Sequence, residues 1–306
     1  MSQVPAARVQ AAADRRWLGA ALAVLAAFMA GEAVAGLLAH SLALLSDAAH
    51  LLTDVAALVL AIVASRIAER PARGAFTYGF ARVDALAGQA NGITLLLLAV
   101  WFVIEAIRRL VHPPDASGAV MALVALVGVS VNVLASGLAT RANRSSLNIR
   151  GAVAHLLNDL WAFTATFLAG VVILATGWTR ADAVASLIVA ALMTYTGVSL
   201  VHAAGRVFLQ AAPAGVDPQQ IGAQLANIRG VAQVHDLHVW DLGTAESALS
   251  AHVLVRSNVD CHQVGDTMRR TLADDHQIQH VTLQVDHLPE ARAEHCAEAH
   301  GPIHTA

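Results

Sequence analysis

Two short stretches carry residue types from which a chemistry can be built: His50-Leu51-Leu52-Thr53-Asp54 and, about a hundred residues later, His155-Leu156-Leu157-Asn158-Asp159. In each, an imidazole and a carboxylate stand four residues apart, which on an α-helix places them one turn apart on the same face. Two such faces brought together offer two nitrogens and two oxygens around a point, the tetrahedral set that Zn²⁺ accepts. Either pair alone would also suit a soluble core helix whose polar groups are satisfied locally. The apolar setting of both weighs against that reading, because a carboxylate near the centre of a membrane helix is unfavourable by roughly 2.5 to 3.5 kcal/mol and needs a compensating partner.

The same four side chains also bind protons. Zn²⁺ bonds to neutral imidazole and ionised carboxylate, so metal and protons compete for the set. Histidine titrates near pH 6.5, and a carboxylate in a low-dielectric site titrates higher than in water. Exchange with protons supplies a release step that a structural zinc site lacks, and the chemistry expected here is Zn²⁺/H⁺ antiport by alternating access.

The elements that hold these groups follow from composition and patterning. Of 306 residues, 57% are hydrophobic and only 13% charged, and the mean hydropathy is +0.58, the profile of a polytopic membrane protein. A net charge of -3 argues for neither nucleic acid nor an acidic partner. Six apolar segments, at about 17–39, 42–65, 83–107, 118–140, 152–176 and 183–204, are each long enough to cross the hydrocarbon layer. The run beginning at Trp17 is too long for a signal-peptide core and reads as the first span. Arginine gathers before the first span and in the second and fourth connections, which places both termini in the cytoplasm, at a cell (inner) membrane. Asp47 lies three residues before His50, on nearly the same face, and suits a partner for that imidazole or a residue lining the approach. Glu32 and Asn132 read as interhelical hydrogen-bonding groups.

From Pro213 charges return and apolar runs shorten. A helix capped by Asp217, two alternating strands (233–242 and 247–256), a helix at 261–273 and a strand at 280–287 give an αββαβ order, a small ferredoxin-like α+β domain with one open sheet face suited to pairing with its copy. The expected organisation is thus a cytosolic segment 1–16, a transport domain 17–210, a cytosolic domain 211–290 and a flexible tail 291–306. In the tail, His295, Cys296, His300 and His304 could capture metal. Cys261 and Cys296 are the only cysteines, so no disulfide framework organises the chain.

The segments 40–54 (HSLALLSDAAHLLTD) and 77–84 (TYGFARVD), the stretch from His155 to Asp159, and Val234-His235-Asp236-Leu237-His238-Val239-Trp240 together resemble the cation diffusion facilitators, most closely their bacterial zinc-exporter branch. The resemblance covers nearly the whole chain. It implies a six-span homodimeric transporter in which the second and fifth spans supply His50, Asp54, His155 and Asp159 as ligands and the cytosolic domain closes the dimer. A histidine at position 50 accompanies zinc in that family, with Cd²⁺ or Co²⁺ as further substrates. The resemblance also places His235, His252, His262, Asp286 and His287 close to positions where relatives bind regulatory metal, so Zn²⁺ is expected as substrate and regulator, with no prosthetic group. The connection 69–77 has no histidine, and neither has 141–146, so a second metal site in the first and a histidine tether in the second are expected to be absent.

Two other classes compete. An intramembrane zinc metalloenzyme would need an open coordination position and a general base, and the chain has no H-E-x-x-H. A membrane metal sensor would need the cytosolic domain to bind metal while the membrane site stays idle.

Overall fold

A computed structural model describes residues 3–38, 42–113, 118–142, 147–242, 246–288 and 301–305. The chain divides into two units, Met1–Gly205 and Arg206–Ala306.

Among the described residues the first unit holds six helices, α1 (Gln3–Leu38), α2 (Leu42–Ala68), α3 (Val83–Val111), α4 (Gly118–Ala139), α5 (Leu147–Thr176) and α6 (Ala181–Phe208), the last running a few residues past its boundary. Among the described residues, four of them, α3 to α6, hold stretches long and apolar enough to cross a membrane. Large apolar side chains such as Leu97, Trp101, Leu123, Leu174 and Tyr195 lie exposed along these four, as a hydrocarbon surrounding requires. The protein is therefore a multi-pass membrane protein. The helix α1 starts well before the apolar run that opens at Trp17, since the alanine-rich segment before it has high helix propensity and carries the turn through Arg8, Arg15 and Arg16.

Several hydroxyls inside the helices are satisfied locally. Thr94 donates to the Ala90 carbonyl, Ser130 to Leu126, Thr164 to Leu160, Thr176 to Val172 and Thr194 to Ala190, each one turn back. A polar residue held this way can face lipid without an orphaned donor.

Two buried clusters hold most of the large core side chains of the helices. Leu18 and Leu25 of α1, Leu51 and Leu58 of α2, Ala135 and Ala139 of α4, and Ile149, Ala152 and Leu156 of α5 form one buried core. Leu95 and Ala99 of α3 pack with Val189, Met193 and Leu200 of α6 in another. Close approach depends on glycine in both. A Cβ at Gly170 of α5 would lie 2.8 Å from the Ala122 nitrogen and 3.0 Å from the Gly118 oxygen of α4, and one at Gly197 of α6 would lie 2.9 Å from the Gly92 oxygen of α3. At one end of the α3–α6 pair, Arg109 Nη1 donates to Asp182 Oδ2 at 2.7 Å and Nε to Glu105 Oε1 at 3.1 Å.

The second unit contains α7 (Pro218–Ala226), β1 (Val231–Asp241), β2 (Ser247–Val255), α8 (Cys261–His276), β3 (His280–His287) and β4 (His304–Thr305). The Asp217 side chain accepts the Gln219 N–H, with Pro218 where its missing N–H costs nothing. Asp260 caps α8 in the same way, and Gln277 ends it in a left-handed conformation. Strand order is β3-β2-β1-β4, with β1 antiparallel to β2 and β2 parallel to β3. Leu225, Val234, Leu249, Met268 and Leu272 fill the core between the helices and the sheet. The two helices are pinned by Gln224, which meets His276 Nε2 at 2.7 Å and donates to Asp275 at 2.6 Å.

β4 lies within the segment expected as a tail. The hairpin with β2 leaves the other edge of β1 with unpaired backbone groups, and Gln233 and Val234 pair there with Thr305 and His304. The His304 ring seats against α7 where a Cβ at Gly222 would collide with it. His295, Cys296 and His300 lie outside the described residues.

Candidate functional site

In the first unit, Asp54 comes from the middle of α2, and His155 and Asp159 come from successive turns of α5. All three are buried, with 0%, 2% and 3% of their surface exposed. His155 Nε2 meets Asp54 Oδ1 at 2.8 Å and lies 3.9 Å from Asp159 Oδ2, so one imidazole nitrogen faces carboxylates from two helices. Ligand atoms of the three fall within 4.8 Å of one another, a spacing that could hold a metal ion. Leu51 and Leu58 on α2 and Leu156 on α5 surround the group with buried apolar side chains, and the low local dielectric strengthens its electrostatics.

His50, the fourth residue of the expected set, stands one turn before Asp54 in α2, but its side chain and that of Asp47 lie outside the described residues. Asn158 was not among the expected site residues. It is 5% exposed, and its Nδ2 has no hydrogen-bond partner among the described residues although it neighbours Asp159. Its position within the second motif was the one signal in the sequence.

The second unit gathers another group of possible ligands, His235, Asp236 and His252. His235 and His252 are direct partners across the β1–β2 ladder, their rings edge-to-face at 5.5 Å between centroids. Asp236 approaches His252 Nδ1 to 3.5 Å. In a regular strand Asp236 would point away from the face that carries His235. It does not, because the β1–β2 register shifts between His235 and His238 and Asp236 adopts a left-handed φ of 48°. This is a bulge that re-aims the carboxylate. Simple alternation in the sequence gave no sign of it.

Burial pushes the His235 imidazole below its ordinary range, against the pull of Asp236 and with help from His252, so the ring favours its neutral, ligand-competent form. Its Nδ1 is buried with no hydrogen-bond partner among the described residues. Asp241, at the end of β1, is held above the usual carboxylate range by burial, which its hydrogen bond with Ser247 and the charge of Arg206 oppose. The other residues expected here fall elsewhere. His262 opens α8 with its N–H on Asp260, Asp286 accepts from Gln284 at 2.9 Å, and His287 Nε2 donates to the Val259 carbonyl at 3.0 Å.

Long apolar helices around a buried cluster of metal-ligating side chains, followed by a small α+β domain, define a membrane transporter of cations. Comparison with known proteins agrees over both units. The model of the cation efflux transmembrane domain matches residues 18–209, and that of the cation efflux protein cytoplasmic domain matches residues 213–288. The chain is 34% identical to the zinc transporter ZitB of Escherichia coli over 271 residues, 88% of this chain and 86% of the relative. It is 33% identical to the metal cation efflux system protein CzcD of Cupriavidus metallidurans over 282 residues, 92% and 89% of the two chains. To the cadmium, cobalt and zinc/H(+)-K(+) antiporter of Bacillus velezensis it is 33% identical over 267 residues, 86% and 85%. The chain belongs to the cation efflux family, the cation diffusion facilitators, and is a transporter and not an enzyme.

Proposed function

We propose that this chain exports Zn²⁺, with Cd²⁺ or Co²⁺ as further substrates, from the cytoplasm in exchange for H⁺. The carrying observation is the buried group of Asp54, His155 and Asp159 held between two helices. His50, one turn before Asp54, completes the ligand set. The names of the relatives, zinc transporter and cadmium, cobalt and zinc antiporter, support the substrate class and the exchange.

In this reading all six helices of the first unit span the inner membrane with both termini in the cytoplasm, and two copies associate through the second unit. Metal arriving from the cytoplasm finds protons on the ligand set and displaces them, since it bonds only to ionised carboxylate and neutral imidazole. After the site turns outward, protons re-enter the side chains and the metal leaves. Asp47, three residues before His50, serves as a partner of that imidazole or as part of the approach.

The test is metal uptake into inverted vesicles under an imposed pH gradient. Acid-inside vesicles should accumulate Zn²⁺, a protonophore should abolish the accumulation, and His155→Ala should reduce it to background. Uptake that ignores the gradient would overturn the exchange, and full activity of His155→Ala would remove that residue from the route.

His235, Asp236 and His252 form the regulatory site in the cytosolic domain, while His262, Asp286 and His287 serve the fold. Asp236→Asn keeps a side chain that tolerates the left-handed bulge and removes the charge, so Zn²⁺ affinity of the domain should fall about tenfold with the fold intact. Asp236→Ala should lose the same affinity and also destabilise β1 by about 1 kcal/mol, read as faster amide exchange along the strand.

A further inference from the structure

The connection between α2 and α3 is exposed throughout residues 69–78 and is nevertheless firmly shaped. Arg73 and Phe76 exchange backbone hydrogen bonds at 3.1 Å in both directions, the Gly79 N–H donates to the Phe76 carbonyl at 3.0 Å, and the Arg70 N–H donates to Ile67 at 3.0 Å. Gly74 and Gly79 take φ of 57° and 75°, and a Cβ at 79 would come 3.3 Å from the Arg70 oxygen. Burial does not hold this knuckle together, so its shape is set by its own backbone and exists before any partner arrives.

What it presents is specific. Arg66, Arg70 and Arg73 are exposed, with Glu69 as the only acid between Arg66 and Arg82. Phe76 is 58% and Tyr78 56% exposed, and Phe76 leans on Phe80 at 4.6 Å between ring centroids. The spanning helix α3 begins at Val83, immediately after the knuckle, so these side chains stand at the level of the bilayer surface. Aromatic rings settle at that level, guanidinium groups pair with phosphate in a fixed fork, and basic residues next to a span are drawn to anionic headgroups.

We propose that this knuckle is a binding surface for anionic phospholipid, in which Arg70 and Arg73 grip the headgroup phosphate and Phe76 and Tyr78 enter the interface beside it. The occupant is a lipid and not a soluble anion, because a free phosphate would make no use of two exposed rings.

The full-length chain, released from nanodiscs that contain phosphatidylcholine with or without phosphatidylglycerol, is assayed for retained lipid by native mass spectrometry. Wild type should retain phosphatidylglycerol in preference to phosphatidylcholine. The double variant Arg70→Gln/Arg73→Gln should bind phosphatidylglycerol about 25-fold more weakly, about fivefold for each arginine. Arg70→Lys/Arg73→Lys should keep most of the preference, and Phe76→Ser should weaken retention of both lipids alike. Equal retention of the two lipids by wild type would overturn the proposal, as would unchanged retention by the double glutamine variant. Displacement of the lipid by inorganic phosphate would make the knuckle an anion site instead. Dissociation of an oligomer in the glutamine variant with lipid retention unchanged would make it an interface between copies.

Discussion

Asp54→Asn is expected to lower Zn²⁺ transport in proteoliposomes by more than about a hundredfold while leaving the protein at least as stable as wild type. Loss of a hydrogen-bonding partner behind a ligand commonly costs 10- to 100-fold in metal affinity, so loss of a charged ligand itself should exceed that. Asparagine has the shape of aspartate and still offers an oxygen to His155 Nε2, which Asp54 now meets at 2.8 Å. A neutral amide at a position with 0% exposure is easier to bury than a carboxylate, so the fold should not suffer. The two measurements are metal uptake reported by an enclosed indicator dye and thermal unfolding in detergent. Transport within tenfold of wild type would exclude Asp54 from the ligand set, and a collapsed melting transition would assign it to the fold.

Gly170→Val is expected to impair assembly of the first unit. The contacts that a side chain there would meet are backbone atoms of α4, at Ala122 and Gly118, and neither can swing aside as a flexible side chain could. Helices in a bilayer have little hydrophobic drive to associate and rely on close packing. Forcing α4 and α5 apart should therefore cost about 3 kcal/mol, the upper end for an overpacked interior. Because α5 carries His155 and Asp159, the displacement should also open the ligand group. The expected result is a low yield of monodisperse protein and a melting transition shifted downward, with Gly170→Ala intermediate. A Gly170→Val protein with normal yield and melting would show that α4 and α5 pack more loosely than these distances require.

Much of this was legible in the sequence because it rests on periodicity. The four-residue interval in His155 to Asp159 fixes a shared helical face whatever the surrounding fold, and the structure brings Asp54 from the other motif to that face. The apolar segments of α3 to α6 were visible for the same reason, and so was the helix cap at Asp217, whose signal is local. What escaped depends on partners distant in sequence. No alternation rule puts Asp236 on the side of His235 and His252, because that follows from a bulge set by pairing with β2. β4 escaped because two residues at the end of a chain form a strand only where another strand has an edge to spare. The collision that a Cβ at Gly128 would make with the Phe163 ring joins residues of two helices, and neither stretch announces the other.

The tie between Arg109 and Asp182, with the Gly92–Gly197 approach further along the same two helices, fastens α3 to α6 at two separated points. Two contacts set apart along its length oppose the pivoting of one helix against its mate. In the transport stroke proposed above, α3 and α6 are expected to move as a single strut, with the displacement left to the neighbours that lean on it. Cutting the tie at Arg109 would then loosen the fulcrum of the machine and leave the grip on its cargo untouched.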